Sequence, residues 1–478
     1  MFKTGKRSTW PAFLILCLFI ITAFFSGCSS DSNGSGKNDP PETSVTVFGD
    51  VHFTPFYDPD LFWELVDTPA DQWAHIFSRS TVTEPQSWGK ETNYPLLLKT
   101  LEAVGEASDN NPVVLFPGDI LPHKFRETFF SLYGVEDEAA VRSFAYKTTA
   151  FFVEEVRKAL PDIPVLFVLG NNDSYAGDYR LVPEGAYLAD TADLFYNALL
   201  LSGADQEQFN KTYRAGGYYQ AQPPSSKVLF ICVSSVLFSA LWSGEGGEEA
   251  AMKQLDWIEA TLENARQKEK KVWIIMHVPP GADVYATVSK FMDESGHISH
   301  ASMMWKIPYQ ERFLEIVRPY GDIIEACFSG HTHMDEYRVL FYGSDGSPEP
   351  VVGISAISPQ FGNNPAFKVL TADQSNWELQ DYRSIAYLFQ EQNPVYETLY
   401  TFSNSYSLYG PLNKDLVELF PLLPNEEALK THYIHFYYSG HDAGNPINET
   451  RWPAYWCAVG NMTKTAYMTC VNNYPETQ

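Results

Sequence analysis

From residue 44 to about residue 360 of this chain, short apolar runs alternate with longer stretches of helical periodicity. "TSVTVFGDVH" (43–52) reads as a strand ending at Asp50, and "PVVLFPGD" (112–119) as a strand ending at Asp119. Between them, "YPLLLKTLEAVGEAS" from Tyr94 spaces its apolar residues as a helix with one buried face does. The alternation continues: "AYKTTAFFVEEVRKAL" predicts a helix before the strand "IPVLFVLGNND", and "QLDWIEATLENARQKEK" a helix before "KVWIIMHVPPG". Two further strands are predicted in "DIIEACFSGHTH" and "PVVGISAIS". Strands alternating with helices imply a layered α/β domain whose sheets are covered on their faces. From about residue 371 the texture becomes rich in Tyr, Trp and Asn. Residues 44–390 are therefore expected to form the core and residues 391–478 a mainly helical C-terminal region.

The first 28 residues follow a different pattern. Lys3, Lys6 and Arg7 precede an apolar run from Phe13 to Phe25, which is the layout of an export signal and is short for a membrane span. "FSGC" (25–28) resembles a bacterial lipobox, with Cys28 as the residue that would be lipidated; a plain cleaved signal or an uncleaved anchor is the alternative. Residues 29–43 carry almost no large apolar side chain and read as a flexible tether. An exported chain can form disulfides. Removing Cys17 with the signal and committing Cys28 to lipid leaves four cysteines: Cys232 and Cys327 in apolar, strand-like runs, where a buried free thiol is expected, and Cys457 with Cys470 in a polar, aromatic stretch, where a bridge is expected.

Composition narrows the function. The 478 residues are 45% hydrophobic and 19% charged, enough to build a large core, and 33 Lys+Arg against 59 Asp+Glu give a formal net charge of -26. No basic excess is present to neutralise a nucleic acid duplex, so any phosphate chemistry needs a local positive centre, which a bound metal supplies.

The predicted strand ends carry that chemistry. In chain order they bear Asp50 and His52, Asp119, Asn171, His277, then His331 and His333. One Gly-Asp after a strand is an ordinary turn. Five strand ends with Asp, Asn or His are hard to explain by packing, because buried polar groups need partners. Carboxylate oxygens and imidazole nitrogens suit zinc, manganese or iron, and a shared Asp can bridge two ions. His432, His435 and His441 form a looser group that reads as surface or aromatic-packed histidines.

The order GDxH, GDxxxH, GNxD, HxPPG and GHTHxDE resembles the calcineurin-like metallophosphoesterases, and within them the acid sphingomyelinase-like phosphodiesterase branch. That branch is indicated by "GDILPH" (118–123), "HVPPG" (277–281), "FSGHTHMDEY" (328–337), "NNPAFKV" (363–369) and "RWPAYWCAVGNMT" (451–463). The resemblance implies a layered α/β/β/α core and two divalent ions, zinc first, with manganese and iron also suited. It implies that Asp50, His52, Asp119 and His333 hold one ion, and that Asp119, Asn171, His277 and His331 hold the other. It also implies that His123 protonates the leaving group or stabilises the transition state. Where the sphingomyelinases have GNH this chain has "GNND", so Asn172 replaces a second histidine; Asn donates a hydrogen bond but is no general acid. The fungal endopolyphosphatases of the branch resemble this GNND form. Asp173 is read as orienting Asn172 or a ligand.

A short tether in place of the sphingomyelinases' lipid-presenting domain points to a soluble nucleotide-like or other small phosphodiester. Sphingomyelin and polyphosphate are the alternatives, and a non-catalytic binding lipoprotein is the competing class. A degenerate site should have lost ligands, and all seven are present. Phe53, Phe56, Tyr57, Trp63, Trp73 and Trp88 could stack a base or cover a lipid tail, although core or lid packing is the expected role. The chain is expected to be an exported monomer, held to a bacterial envelope membrane by its N-terminal lipid or anchor, that binds no duplex nucleic acid.

Overall fold

The structure, a computed structural model, describes residues 41–201, 205–223, 226–344 and 346–474. The expected signal segment, Cys28 and most of the tether lie outside the described residues. The last tether residues, Glu42 and Thr43, already belong to the first strand.

The strands, in chain order, are β1 (Glu42–Val47), β2 (Val114–Phe116), β3 (Val165–Phe167), β4 (Tyr219–Ala221), β5 (Val228–Val233), β6 (Lys271–Met276), β7 (Ile324–Ser329), β8 (Tyr337–Leu340), β9 (Glu349–Gly353), β10 (Ala366–Asp373), β11 (Leu379–Tyr387) and β12 (Tyr396–Thr401). They form two six-stranded sheets, ordered β12-β11-β10-β1-β2-β3 and β4-β5-β6-β7-β9-β8. β1, β2 and β3 run parallel in the first sheet, and β5, β6, β7 and β9 run parallel in the second. β2, β3 and β5 are buried at every position, as strands covered on both faces must be, and this made their apolar runs continuous in the sequence.

The two sheets touch through strands of both. Tyr219 in β4 donates its hydroxyl hydrogen to the Phe167 carbonyl of β3 (2.9 Å). Fully buried Trp273 of β6 packs on Phe230, Phe328 and Trp377, and its Nε1 donates to the Trp377 carbonyl in the β10–β11 connection (3.2 Å). Helices cover the sheets: Gly247–Gln267 packs on β5 and β6, and Tyr94–Ala107 on β12. The second begins where its capping residues require, with Asn93 accepting from the Leu96 N–H and Pro95 in the first turn.

The helical C-terminal region starts at Phe402 rather than 391, because Tyr396–Thr401 pairs antiparallel with β11 as an edge strand. Its helices Trp452–Gly460 and Lys464–Asn472 are joined by a disulfide between Cys457 and Cys470, while Cys232 and Cys327 are free and buried. Burial pushes the Cys232 thiol up to about 12, so it stays protonated. Among the described residues no helix is long and apolar enough to cross a membrane.

Candidate dimetal active site

The parallel strands of both sheets end on the same side, and their C-terminal ends carry the polar residues, the position where ligands bind in open α/β sheets. Asp50 and His52 follow β1, Asp119 follows β2, Asn171 follows β3, His277 follows β6, and His331 with His333 follow β7. Five of these seven, Asp50, His52, Asp119, His331 and His333, adopt left-handed backbone conformations with φ between 45° and 75°. That geometry is unfavourable for residues with a Cβ, and it concentrates at functional sites. The glycine before a ligand has a local reason. A Cβ on Gly170 would sit 2.0 Å from Asp119 Oδ1, and one on Gly330 would sit 2.5 Å from Asp50 Oδ2.

The side chains converge. His52 Nε2 lies 3.0 Å from His333 Nε2 and 3.3 Å from Asp119 Oδ2. His277 Nε2 lies 3.3 Å from Asp119 Oδ2 and 2.9 Å from Asn171 Oδ1, and His333 Nε2 is 3.8 Å from Asp50 Oδ1. The backbone N–H of His331 donates to both oxygens of Asp50. Asp119 Oδ2 thus faces histidines of both halves of the cluster.

Hydrogen bonds fix how the rings are presented. His52 Nδ1 donates to the Leu121 carbonyl (3.0 Å) and His277 Nδ1 to the Pro117 carbonyl (2.8 Å). A carbonyl only accepts, so each Nδ1 carries a hydrogen and each Nε2 is turned to the centre, the arrangement that orients metal-binding imidazoles. Asp178 Oδ1 accepts from Asn171 Nδ2 (2.7 Å), which turns the Asn171 amide oxygen toward His277. The Tyr179 hydroxyl lies 3.1 Å from His331 Nε2.

The electrostatics are those of a donor set built for cations. Asp50 and Asp119 are buried, and among the described residues neither has a Lys or Arg partner. Burial raises Asp50 to about 7, and it lowers His52 to about 4 and His331 to about 3. Burial acts against charge on His277 as well, but the Asp119 and Asp50 carboxylates outweigh it and raise that ring to about 9; burial raises Asp119, yet His277 and His52 pull it well below the usual range. His333 Nδ1 is buried without a hydrogen-bond partner among the described residues. The neutral imidazoles of His52, His331 and His333, beside two buried carboxylates that no Lys or Arg among the described residues meets, fit divalent ions, and ligand atoms of Asp50, His52 and Asp119, and of His52, His123 and His333, lie within 4.8 Å of one another.

The two residues singled out beside the ligands differ in placement. Asn172 does not face the cavity as a free donor: its backbone N–H and Nδ2 both donate to Asp119 (2.8 and 3.0 Å). His123 lines the cavity, stacks on His52 with ring centroids 4.2 Å apart, and gives Nδ1 to Glu91. Burial opposes charge on His123, but Glu91 raises its pKa; burial raises Glu91, but His123 lowers it. Asp173 accepts from the backbone N–H groups of Asp119, Ile120, Leu121 and Gly170, so it ties the Asp119 loop to the Asn171 loop. Glu91, Asp178 and Tyr179 were not singled out from the sequence. Glu91 stands 32 residues before His123 in a polar run without periodicity, whereas Asp178 shares the loop of Asn171 and could have been suspected.

The cavity over the cluster measures about 350 Å³. Its aromatic lining comes from Tyr179, Tyr285, Phe361, Tyr437, Tyr438 and Tyr455. The aromatics after the first motif serve elsewhere: Phe53, Phe56 and Trp73 are core residues, Trp63 lies against Tyr133, and Trp88 stacks on His441 at 3.7 Å. His432 and His435 meet the Ser405 carbonyl and Asp442 at the surface.

Buried carboxylates, an amide and histidines gathered at strand ends define a metal-dependent hydrolase of phosphoesters. The chain belongs to the calcineurin-like phosphoesterase family, which it matches over residues 43–335. It is 23% identical over 443 residues to the cyclic GMP-AMP phosphodiesterase SMPDL3A of Homo sapiens, covering 86% of this chain and 89% of that protein. It is 21% identical over 444 residues to the human acid sphingomyelinase-like phosphodiesterase 3b, covering 87% and 90%. Among solved structures it is similar to a dimetal phosphatase from Danio rerio, with a TM-score of 0.40 and 12% identity over 75% of this chain and 99% of that one.

Proposed function

We propose that this protein is a two-metal phosphodiesterase for soluble, nucleotide-like phosphodiesters. The observation that carries the reading is the convergence of the donors: His52 and His277 both lie 3.3 Å from Asp119 Oδ2, His333 meets His52, Asn171 and Asp50 meet His277, and the His331 N–H meets Asp50, under a cavity of about 350 Å³ with an aromatic wall. Asp50, His52, Asp119 and His333 would hold one ion, and Asp119, Asn171, His277 and His331 the other. Bound divalent ions, zinc before manganese or iron, would draw the phosphate oxygens and lower the pKa of bound water. The chain's own part is to shape and orient. Asn172 holds both oxygens of Asp119, Asp173 locks the loop beneath them, and His123 delivers a hydrogen to the leaving oxygen.

The cavity lining bears on the substrate. Tyr285 is 74% exposed and Phe361 45% exposed, an unusual exposure for rings at a cavity, and a planar base stacking there gains roughly 1–3 kcal/mol. Arg338 is the one Lys or Arg among the described lining residues, and its Nε and Nη2 both donate to Glu336 in the same segment of chain. With Asp178 and Asp283 also lining the cavity, a long polyanion such as polyphosphate is disfavoured. The same tyrosines beside Asp178 and Asp283 suit a quaternary ammonium head group, which makes a phosphocholine ester the second reading. The relative named a cyclic GMP-AMP phosphodiesterase supports the first reading and the sphingomyelinase-like one the second. We further propose export as a monomer with attachment to a bacterial envelope membrane through Cys28.

The test is a parallel assay of the zinc- or manganese-loaded protein on cyclic GMP-AMP, bis-p-nitrophenyl phosphate, p-nitrophenyl phosphate, ATP, polyphosphate and sphingomyelin. Turnover of the nucleotide-like diesters with sphingomyelin untouched is the expected outcome. Turnover of sphingomyelin alone establishes the second reading, and two bound metals without any turnover establishes a binding protein.

A further inference from the structure

We infer that Glu91 is a positioning residue for His123, fixing which nitrogen of that ring faces the substrate; the inference rests on the phosphodiesterase reading above. Glu91 Oε1 accepts from His123 Nδ1 (2.8 Å) and from the His123 backbone N–H (3.2 Å), and Oε2 accepts from Ser358 Oγ (2.9 Å). The side chains of Glu91 and His123 are 15% and 27% exposed, so water competes little for these bonds. The backbone around Glu91 is also held. The Thr54 N–H donates to the Thr92 carbonyl (2.9 Å), and Asn93 caps the helix Tyr94–Ala107. On the far side, the Ser358 N–H donates to the carbonyl of Asp50 (3.0 Å). One carboxylate therefore joins the loops that carry Asp50, Asp119 and His123.

An ionised carboxylate only accepts, so His123 Nδ1 keeps its hydrogen on Glu91 and Nε2 is the nitrogen left for the cavity; the ring donates from Nε2 as the imidazolium, and returns to the Nδ1–H form once that hydrogen has passed to the leaving oxygen. The ring cannot turn freely, since it stacks on His52 at 19° and meets the edge of Phe361 at 5.4 Å. The Nε2 atoms of the other site histidines are already matched: His52 with His333, His277 with Asn171, and His331 with Tyr179. Asn172 is committed to Asp119. Where backbone carbonyls orient His52 and His277, a side-chain carboxylate, that of Glu91, orients His123. With Asn rather than a second histidine at position 172, no neighbouring ring shares the task.

The experiment compares the metal-loaded wild type with Glu91→Ala, Glu91→Gln, His123→Ala and the Glu91→Ala/His123→Ala double variant, on p-nitrophenyl and phenyl esters of thymidine 5′-phosphate. Phenoxide is the poorer leaving group and needs the hydrogen more. Glu91→Ala should lower kcat on the phenyl ester by roughly 100-fold, the lower end of general-acid contributions, with KM and the p-nitrophenyl rate little changed. Glu91→Gln, which keeps an accepting oxygen, should recover part of the loss, and the double variant should be no slower than His123→Ala. Long-range 1H–15N spectra of the histidine rings, with His123 assigned by its loss in His123→Ala, should show the Nδ1–H form in the wild type and lose it in Glu91→Ala. Equal losses on both esters, additive effects in the double variant, or an unchanged ring tautomer would each overturn the assignment. If the wild type cleaves neither ester, the phosphodiesterase reading fails, and the ring tautomer alone decides the role of Glu91.

Discussion

Replacing Lys368 by Met probes the joint that holds the GHTH loop between the two sheets. Lys368 lies in β10 of the first sheet and is fully buried; its Nζ donates to Asp335 Oδ1 (2.5 Å) and to the Gly353 carbonyl of β9 (2.9 Å). Asp335, two residues after His333, is 6% exposed, and its other oxygen accepts from the Tyr400 hydroxyl (2.9 Å). Met fills nearly the same volume, so little cavity forms; the change strips the charge and leaves the Asp335 carboxylate buried with one neutral donor. Breaking a buried pair from one side costs about 3–5 kcal/mol, whereas removing both charges is close to neutral. Lys368→Met should therefore lower the urea-derived unfolding free energy by about 3–5 kcal/mol, and Lys368→Met/Asp335→Asn should recover most of that loss. Urea titrations of the four proteins in the cycle measure the coupling. A single-variant loss under about 1 kcal/mol, or a double variant as unstable as the sum of the singles, would refute the view that the uncompensated charge dominates.

Other outcomes follow from the same geometry. Glu349 is buried near Glu325, and burial raises its pKa from 4.5 to about 8. Both states hold the proton below pH 4.5, and only the folded state holds it between 4.5 and 8, so stability falls as pH rises through that window. Glu349→Gln should stabilise the protein at pH 8 by on the order of a few kcal/mol relative to wild type, and hardly at pH 4.5, in melts at both values. Gly170→Ala drives a methyl into Asp119 and should reduce turnover and metal content together, read by kcat and elemental analysis. Asp119→Asn should abolish turnover and the binding of both ions; a variant that keeps two ions and full rate contradicts the shared-ligand reading. Chelation should lower the melting temperature of the wild type, since ligand at 100 times its Kd adds about 2.7 kcal/mol, and should leave Asp119→Asn unmoved.

The parallel half of each sheet was legible because strands buried on both faces are written as uninterrupted apolar runs, each closed by a glycine and a polar residue. β2, β3 and β7 are of this kind, and β6 runs directly into His277 without a glycine. The antiparallel additions were not. β11 mixes buried positions with half-buried and exposed ones, and β12 is exposed or half-buried at five of six positions, so their sequences carry no continuous apolar signal and the helical region was placed too early. At the site, the ligands were readable because chemistry restricts them to Asp, Asn and His at strand ends. Their supports were not. Glu91 and Tyr179 reach His123 and His331 through folded loops, and nothing local in the sequence encodes such a contact.

Charge links the site to its substrate. The chain carries a net charge of -26, and the cavity adds Asp178, Asp283 and Glu336, with Arg338 already paired. Divalent ions at Asp50 and Asp119 would then be the main source of positive potential that an incoming phosphate meets, and that potential is short-ranged, because screening removes it within about 10 Å at ordinary salt. One phosphodiester seated at the centre experiences it fully, while a second or third phosphate further along a chain meets acidic side chains instead. Tyr285 and Phe361 line the same cavity as exposed rings and offer ring faces in place of charge. A substrate with one reacting phosphate and a planar or cationic remainder therefore gains from both parts of the cavity, and a polyphosphate gains from only one.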